Sequence, residues 1–278
     1  MSPFVFFAIL FAAFLHASWN GIIKLGPDKL QGIILLSLAH AIVGLVMVFI
    51  FPLPSFQTLP WLAGAVVFHG IYKGFLAAAY AQGDLSRVYP IARGTAPVMV
   101  LLVGFLILPD QIASLQILGI LILGFGILLM SRGIFSNGES SKLLPFALMS
   151  AVGTAGYSLI DGMGARVAGN AGSFVAWLYV LDGTIFALWG IYRRGMNVLP
   201  TSARVWAIGL FAGFISSVAF GIVVWAMTVA PIAVVTALRE TSVLFAVLIG
   251  VVFFKERADR GKLVAAAVIV SGIILIRI

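Results

Sequence analysis

The sequence contains no cysteine among its 278 residues. This absence excludes a disulfide framework, a thiolate metal site and a cysteine nucleophile, but it does not identify a cellular compartment. The Walker phosphate loop, the HExxH helix, the GxSxG turn and metal-ligand clusters are also missing. ATP hydrolysis and hydrolase chemistry therefore lack support, and we expect no enzymatic activity, no catalytic residues, no cofactor and no bound metal.

Charged residues are scarce as well. Asp, Glu, Lys and Arg make up 9% of the sequence and hydrophobic residues 62%, well above the roughly 45–50% apolar content of a soluble domain. Apolar runs of about 20 residues, long enough to cross ~30 Å of hydrocarbon, recur from end to end. The alternation over about ten residues that a transmembrane barrel requires is missing. We therefore predict an all-α polytopic membrane protein in a lipid bilayer.

The net charge of +8 does not indicate a nucleic-acid partner, because the basic residues stand singly or in short clusters between apolar runs. The N-terminal Met1-Ser2-Pro3 lacks the basic region of a signal peptide, and the first apolar run continues to Asn20 and Lys24. We interpret this run as the first membrane span.

Glycine, proline and charged residues divide the apolar runs into ten candidate spans. These spans cover residues 4–23, 31–51, 59–81, 88–108, 112–131, 143–165, 174–192, 203–229, 232–254 and 261–277. The longest hydrophilic break lies near the midpoint and is too short for a soluble domain. The pattern predicts two five-helix units, residues 1–131 and 143–278, connected by a loop at 132–142.

The two units also share residues when the sequence is shifted along itself by 146 positions. The matched pairs are Arg93 with Arg239, Thr95 with Thr241, Gly104 with Gly250, Asp110 with Glu256, and Gly126 with Gly272. Because each unit has an odd number of spans, a duplicated copy enters the membrane in the opposite orientation. We therefore predict inverted repeats related by a pseudo-two-fold axis in the membrane plane.

The distribution of basic residues predicts the orientation in the membrane. Loops on one side carry 12 Lys or Arg residues, whereas the other side carries only Arg166 and Arg277. The rich side is expected to be cytoplasmic, which places both termini outside. A bacterial inner membrane is the expected location.

Six charged residues fall at membrane depth within the predicted spans. A charge there costs roughly 2.5–3.5 kcal/mol on insertion scales, so such residues usually face a bundle interior or a water-filled cavity. Three are cations and three are anions, and three histidines accompany them. The set consists of Lys73, Arg93, Arg239, Asp161, Asp182 and Glu240, with His16, His40 and His69.

The first helix carries a polar stripe, because His16, Trp19, Asn20 and Lys24 follow one another at three- or four-residue steps. Such a stripe can line a path through the bundle. In the alternative interpretation, Trp19 is a packing residue and Lys24 extends to the cytoplasmic interface.

The third helix repeats this pattern with His69, Tyr72, Lys73 and Tyr80 on one face. Lys73 lies deep enough to need a partner or water. A structural ion pair with Asp182 or Asp161 is one interpretation, and a cavity that receives a substrate carboxylate is the other.

Carboxylates on the sixth and seventh helices are candidates for proton coupling. Thr154, Tyr157, Ser158 and Asp161 share a face of the sixth helix, and Asp182 lies midway along the seventh. An unpaired carboxyl group in a low dielectric gains proton affinity, whereas a permanently paired one would be inert.

The fourth helix places Arg93 between Pro90 and Pro97, both of which remove backbone hydrogen-bond donors. This composition predicts a broken helix with free carbonyl groups beside the guanidinium. Arg93 lies about 9 Å inward from Arg87, and Arg239 about 12 Å inward from Pro231 at the opposite surface.

The two arginines are therefore expected to approach the middle of the membrane from opposite sides, a geometry that suits alternating access. Guanidinium groups bind carboxylate, phosphate or phosphonate oxygens in a bidentate manner. In the alternative, both arginines only cap freed carbonyl groups. Glu240 directly follows Arg239, so we expect their side chains to point apart and to have separate partners.

These residues resemble the EamA-type proteins of the drug/metabolite transporter superfamily over nearly the whole chain. The resemblance rests on three segments, which are Ser18-Trp19-Asn20 with Lys24, Tyr89 to Pro97, and Leu238-Arg239-Glu240-Thr241-Ser242 running on to Lys255-Glu256-Arg257. More faintly, the chain is similar to membrane proteins associated with phosphonate utilisation. Pro109-Asp110-Gln111 stands where the family often has Gly-Glu-Arg.

The resemblance implies a secondary carrier with a central cavity, exporting or exchanging a small polar metabolite such as an amino acid or a phosphonate. A flippase for lipid head groups or amphipathic drugs, and a non-transporting sensor or assembly subunit, are the alternatives. Protons are the candidate coupling ion through Asp161 or Asp182. The expected substrate-binding residues are Arg93, Arg239, Asn20, Trp19, Lys73, His69, Tyr72, Tyr157, Tyr89 and Glu240.

Overall fold

A computed structural model describes residues 1–24, 26, 28–80, 85–130, 143–253, 255 and 260–278. These residues form eleven α-helices and two short 3-10 turns, with no strand among them. The helices are α1 (Pro3–Lys24), α2 (Lys29–Val48), α3 (Leu59–Tyr80), α4 (Leu85–Ile107), α5 (Ser114–Leu129), α6 (Leu143–Val167), α7 (Ala171–Arg194), α8 (Ala203–Val229), α9 (Ile232–Arg239), α10 (Ser242–Phe253) and α11 (Arg260–Arg277). The predicted connecting loop at 132–142 lies outside the described residues.

Every predicted span overlaps a helix, and the ninth span overlaps two. Within the described residues, six segments are long and apolar enough to cross a membrane, by length and composition. They are Pro3–Lys24, Leu30–Val48, Pro90–Ile107, Ala171–Arg194, Ala203–Val229 and Ile232–Phe253. Ser114–Leu129 is a shorter apolar helix. The all-α membrane class is therefore confirmed, while the full number of ten spans stays a prediction.

Local capping explains several helix boundaries. The Asp28 carboxylate accepts hydrogen bonds from the backbone N–H groups of Leu30 and Gln31, which starts α2. The Asn170 side chain accepts from Ser173 N–H, so α7 begins three residues earlier than predicted. Gly195, with φ of 74°, ends α7 in the left-handed region that glycine tolerates.

The helix break lies in the ninth predicted span rather than in the fourth. The expected break in α4 is wrong, because this helix runs continuously through Pro90 and Pro97. Proline's fixed φ is helical, and buried residues such as Ala96 and Val100 hold the helix in place by packing.

The chain instead departs from a regular helix between α9 and α10. Here the N–H groups of Thr241 and Val243 bond to carbonyl groups three residues back, and the Thr241 hydroxyl donates to Leu238 O at 2.7 Å. These tight bonds replace the regular ladder and end α9 at Arg239. Glu240 is left at the junction of the two helices.

Helices from the two halves of the sequence pack against one another. The main contacts join α1 with α8, α3 with α6, α2 with α7, and α5 with α11. Glycines allow the closest approach: a Cβ on Gly119 would lie 2.7 Å from the carbonyl oxygen of Gly272, and one on Gly272 would lie 2.8 Å from that of Gly119. All eight residues of α9 are buried within the same bundle.

Candidate functional site

One carboxylate joins the two arginines that the sequence singles out. Arg93 comes from α4, Arg239 is the last residue of α9, and Glu240 follows it at the helix junction. Their exposed fractions are 3%, 5% and 0%. A buried charge is tolerated when it is paired and hydrogen-bonded, so the three side chains depend on one another.

The geometry of this triad is asymmetric. Arg93 Nη1 donates to Glu240 Oε1 at 3.2 Å and to Oε2 at 3.3 Å. Arg239 donates to Oε1 alone, from Nη2 at 3.0 Å and from Nε at 3.3 Å. Two guanidinium groups thus share one carboxylate, which leaves the triad with one excess positive charge.

The expectation that Arg239 and Glu240 would point apart is therefore wrong. Adjacent side chains diverge on a continuous helix, but here the helix ends at Arg239. Both side chains are also long enough to turn toward the same interior point, where Arg93 arrives from α4. The carboxylate satisfies both arginines at once.

His16 on α1 is another hydrogen-bond partner of Arg93. Its Nε2 lies 3.0 Å from Arg93 Nη2. Because a guanidinium can only donate, Nε2 must be the acceptor, so the imidazole in this contact is neutral with its proton on Nδ1. The Trp19 ring meets His16 edge to face at 5.1 Å, and Asn20 Nδ2 donates to the His16 carbonyl at 2.8 Å.

Two tyrosines flank the arginines. The Arg239 guanidinium carbon lies 5.4 Å from the centre of the Tyr157 ring, and that of Arg93 lies 6.0 Å from the Tyr72 ring. Both distances are within the range of cation–π attraction. The rings of Tyr72 and Tyr157 also meet each other at 5.6 Å. They form aromatic walls beside the positive groups.

A histidine–carboxylate pair lies beyond Tyr157. The His69 ring stacks on Tyr157 at 4.3 Å, and its Nε2 lies 3.0 Å from Asp161 Oδ2. Asp161 is 1% exposed, and its other oxygen, Oδ1, has no hydrogen-bond partner within the described part of the chain. One oxygen of this carboxyl group is therefore available to a proton or a ligand.

Lys73 pairs with Asp182, which is one of the two partners that the sequence suggested. Their Nζ and Oδ2 atoms are 2.6 Å apart, and Lys73 also lies 4.5 Å from the Phe186 ring. Nearby, His40 stacks on Tyr179 at 4.8 Å and approaches the Ser216 hydroxyl at 3.2 Å. In this conformation Asp182 is held by a lysine, whereas Asp161 is held by a histidine.

A second arginine cluster lies at the end of the bundle where α6 and α8 end, here called the Arg166 end. Arg166 makes a bidentate pair with Asp110 at 2.7 and 3.1 Å and donates to the carbonyl groups of Met227 and Ala230. Asp110 also accepts from Ile232 N–H at 2.8 Å, at the start of α9. Sequence reasoning missed this cluster, although the departure at Pro109-Asp110-Gln111 marked the loop.

A cavity of about 530 Å³ opens at the same end. Its walls are mainly apolar and aromatic, with Phe51 and Trp225 among them. Gly221 also lines it, and the neighbouring Phe220 contacts both His69 and Tyr179. The volume lies within the range of small-molecule pockets, and one residue that lines it, Gly221, directly follows a residue in contact with His69.

The structure therefore brings together eight of the ten predicted binding residues in one connected network. Lys73 instead pairs with Asp182. Tyr89 cannot be added, because its side chain lies outside the described part of the chain. Among the described residues, no three His, Asp or Glu side chains come together in a group that could hold a metal ion.

Comparisons with known proteins agree with this architecture. A solved structure described as "Crystal structure of protein" matches with a TM-score of 0.74 at 17% sequence identity, over 98% of this chain and 94% of that chain. At this identity the likeness shows a shared fold alone. No curated protein matches the sequence.

The family comparison is more specific. Residues 141–278 match the model of the EamA-like transporter family, which confirms the resemblance drawn from the sequence over this half of the chain; no comparison bears on phosphonate utilisation. Together with the apolar helices, this match makes the protein an integral, multi-pass membrane protein with a transporter role. Through its second half, the chain belongs to the EamA-like transporter family of the drug/metabolite transporter superfamily.

Proposed function

We infer that the protein is a gradient-driven carrier, an exporter or exchanger, for a small zwitterion or organic anion such as an amino acid or a phosphonate. The observation that carries this proposal is the shared carboxylate: Arg93 and Arg239, from opposite halves of the chain, both bond to Glu240. The triad holds one more positive than negative charge in a site shielded from water. Such a site attracts an anionic group.

The neighbouring groups favour a ligand with more than an anionic end. Tyr72 and Tyr157 border the arginines, and the Asp161 carboxyl group lies beyond Tyr157 with one unbonded oxygen. An amino group of a zwitterion would find a negative partner there. Lys73 pairs with Asp182, and we propose a structural role for this pair.

Alternating access between two inverted five-helix repeats, residues 1–131 and 143–278, is the proposed mechanism. Three features support it. Helices at corresponding positions of the two units, α2 with α7 and α5 with α11, pack on each other. The matched residues Arg93 and Arg239 meet in the triad. The arginine-bearing α9 ends at a junction within the bundle, as in discontinuous transporter helices.

Proton coupling is assigned to Asp161 rather than to Asp182. Asp161 bonds to a histidine and keeps one oxygen unbonded among the described residues, whereas Asp182 holds Lys73. The cavity at the Arg166 end reaches within one residue of Phe220, which contacts His69. This cavity is the proposed route by which protons and substrate reach the site from outside.

The proposed location is a bacterial inner membrane with both termini outside. The asymmetry of Lys and Arg residues between the loops supports this orientation. A reporter that is active only in the cytoplasm, fused after Ile278, should stay inactive. An active fusion would reverse the proposed orientation.

Thermal stabilisation of the detergent-purified protein tests the substrate class. The panel contains amino acids, aminophosphonates, phosphate esters, dicarboxylates, polyamines and cationic drugs. A zwitterion or anion should raise the melting temperature, by mass action on the folded state. Arg93→Ala and Arg239→Ala should both lose this response.

Two results would contradict the proposal. One is a ligand response that survives loss of both arginines. The other is stabilisation by cationic drugs together with lipid scrambling in liposomes, which would indicate a flippase instead. A variant at Arg193, which lies outside the network at the end of α7, serves as a control: Arg193→Ala should respond as the wild type does.

A further inference from the structure

We propose that Glu240 is a built-in counter-anion that occupies the substrate's anion site when the carrier is empty. The inference rests on the proposed function, because it assumes that the two arginines receive an anionic ligand. In this view the carboxylate of Glu240 and that of a ligand compete for the same guanidinium donors. Glu240 then sets the affinity for anions.

Glu240 depends on the two arginines for its hydrogen bonds. Among the described residues, its carboxylate accepts only from Arg93 and Arg239. No backbone N–H or hydroxyl group in that part of the chain holds it. A carboxylate fixed for structural reasons usually gains such bonds, as Asp110 does from Ile232 N–H. Glu240 therefore has the same contacts that the carboxylate of a bound ligand would have.

Exchange of Glu240 for a ligand carboxylate would conserve the charge around the two arginines. With Glu240 in place, the two arginines face one negative group. When Glu240 swings out of the buried cluster as a ligand carboxylate enters, one negative charge leaves and one arrives, and the net charge of the cluster is unchanged. The exchange avoids the large cost of leaving two uncompensated guanidinium groups in a low dielectric. Ligand binding is therefore a substitution of one carboxylate for another.

Glu240 also lies at a point of the backbone where a hinge can form. It is the residue between α9 and α10, where short three-residue bonds replace the helical ladder. A rotation of this junction moves the carboxylate without disturbing the body of either helix. Hinges commonly lie at element ends of this kind. Arg93, in contrast, projects from an unbroken helix.

Chemical rescue provides the test. Glu240→Ala removes the carboxylate and leaves a space beside the two guanidinium groups. We expect the purified variant to melt at a lower temperature than the wild type. Acetate or formate should restore much of the loss, with half of the effect at a concentration about tenfold or more below that needed to stabilise the wild type. Chloride, which cannot bond in a bidentate manner, should restore less.

Matched variants separate the possible outcomes. Glu240→Gln keeps the side-chain volume and should also bind acetate more tightly than the wild type, which covers the case in which the alanine variant fails to fold. The double variant Arg93→Ala/Glu240→Ala should not be rescued. Asp110→Ala removes a carboxylate that also has backbone support, and this variant should bind acetate at the central site no more tightly than the wild type does.

The results also distinguish this inference from the proposed function. If both Glu240 variants bind acetate no better than the wild type, while Arg93→Ala still abolishes the wild-type ligand response, Glu240 is not a competitor and only the present inference fails. If the ligand response survives without the arginines, the proposed function fails first.

Discussion

The two arginine clusters of this protein differ in how their charges are matched. At the Arg166 end, one arginine faces one carboxylate, and backbone groups form further hydrogen bonds with both of them. In the centre, two arginines share one carboxylate, and a neutral histidine and aromatic rings lie beside them. A cluster that is complete without a ligand is suited to hold helices together, whereas an under-matched cluster is suited to bind one.

Removal of Asp110 should give a larger loss of stability than replacement of Asp161, Asp182 or Tyr157. Asp110→Ala leaves Arg166 without its bidentate partner and frees Ile232 N–H, so we expect a loss of about 3 kcal/mol in the free energy of unfolding. Denaturant titration in detergent measures this loss. Arg193→Ala should have little effect in the same assay.

The Asp110→Ala variant should also keep its ability to bind ligand. At a temperature where Asp110→Ala is folded, its response to the ligand that stabilises the wild type should be retained. Loss of that response with little loss of stability would show that the Arg166 end belongs to the binding site.

Replacement of Asp161 or Asp182, in the central region, should have an effect of intermediate size. In proteoliposomes supplied with the stabilising ligand, Asp161→Asn should abolish the dependence of uptake on an imposed pH gradient, which we expect to be about tenfold in the wild type. Asp182→Asn breaks the Lys73 pair and should reduce stability, but it should keep the gradient dependence. The reverse result would transfer proton coupling to Asp182.

The smallest expected effect concerns the aromatic wall. Tyr157→Leu removes the ring that lies beside Arg239 and His69 and should weaken ligand binding by about 1 kcal/mol. Tyr157→Phe keeps the ring and should bind within about twofold of the wild type. Equal losses in both variants, measured by isothermal titration, would assign the contribution to the hydroxyl group instead.

The sequence was sufficient for the positions of the helices, because apolar runs of membrane length and charged interruptions reflect the bilayer directly. It also identified Arg93, Arg239 and Glu240 as exceptional, since intramembrane charge is costly wherever it occurs. The choice of Asp182 as a possible partner of Lys73 was correct for the same reason: few partners exist at that depth.

Features that depend on tertiary contacts could not be predicted. Prolines suggested a break in α4, yet packing keeps that helix whole, and a threonine side chain marks the actual junction after α9. The approach of Glu240 to both arginines depends on that junction. The Asp110–Arg166 pair joins residues 56 positions apart, and no local pattern connects them.

The single carboxylate between two arginines has a consequence for the transport cycle. A carrier must change its facing direction with its charged groups sealed from water, and unmatched arginines would oppose that movement. In the proposed alternating-access cycle, Glu240 supplies a negative partner to both arginines in the absence of cargo, so the unloaded protein should be able to return by itself. Net flow in one direction would then need no molecule carried back, whereas a variant without this glutamate should be restricted to one-for-one exchange.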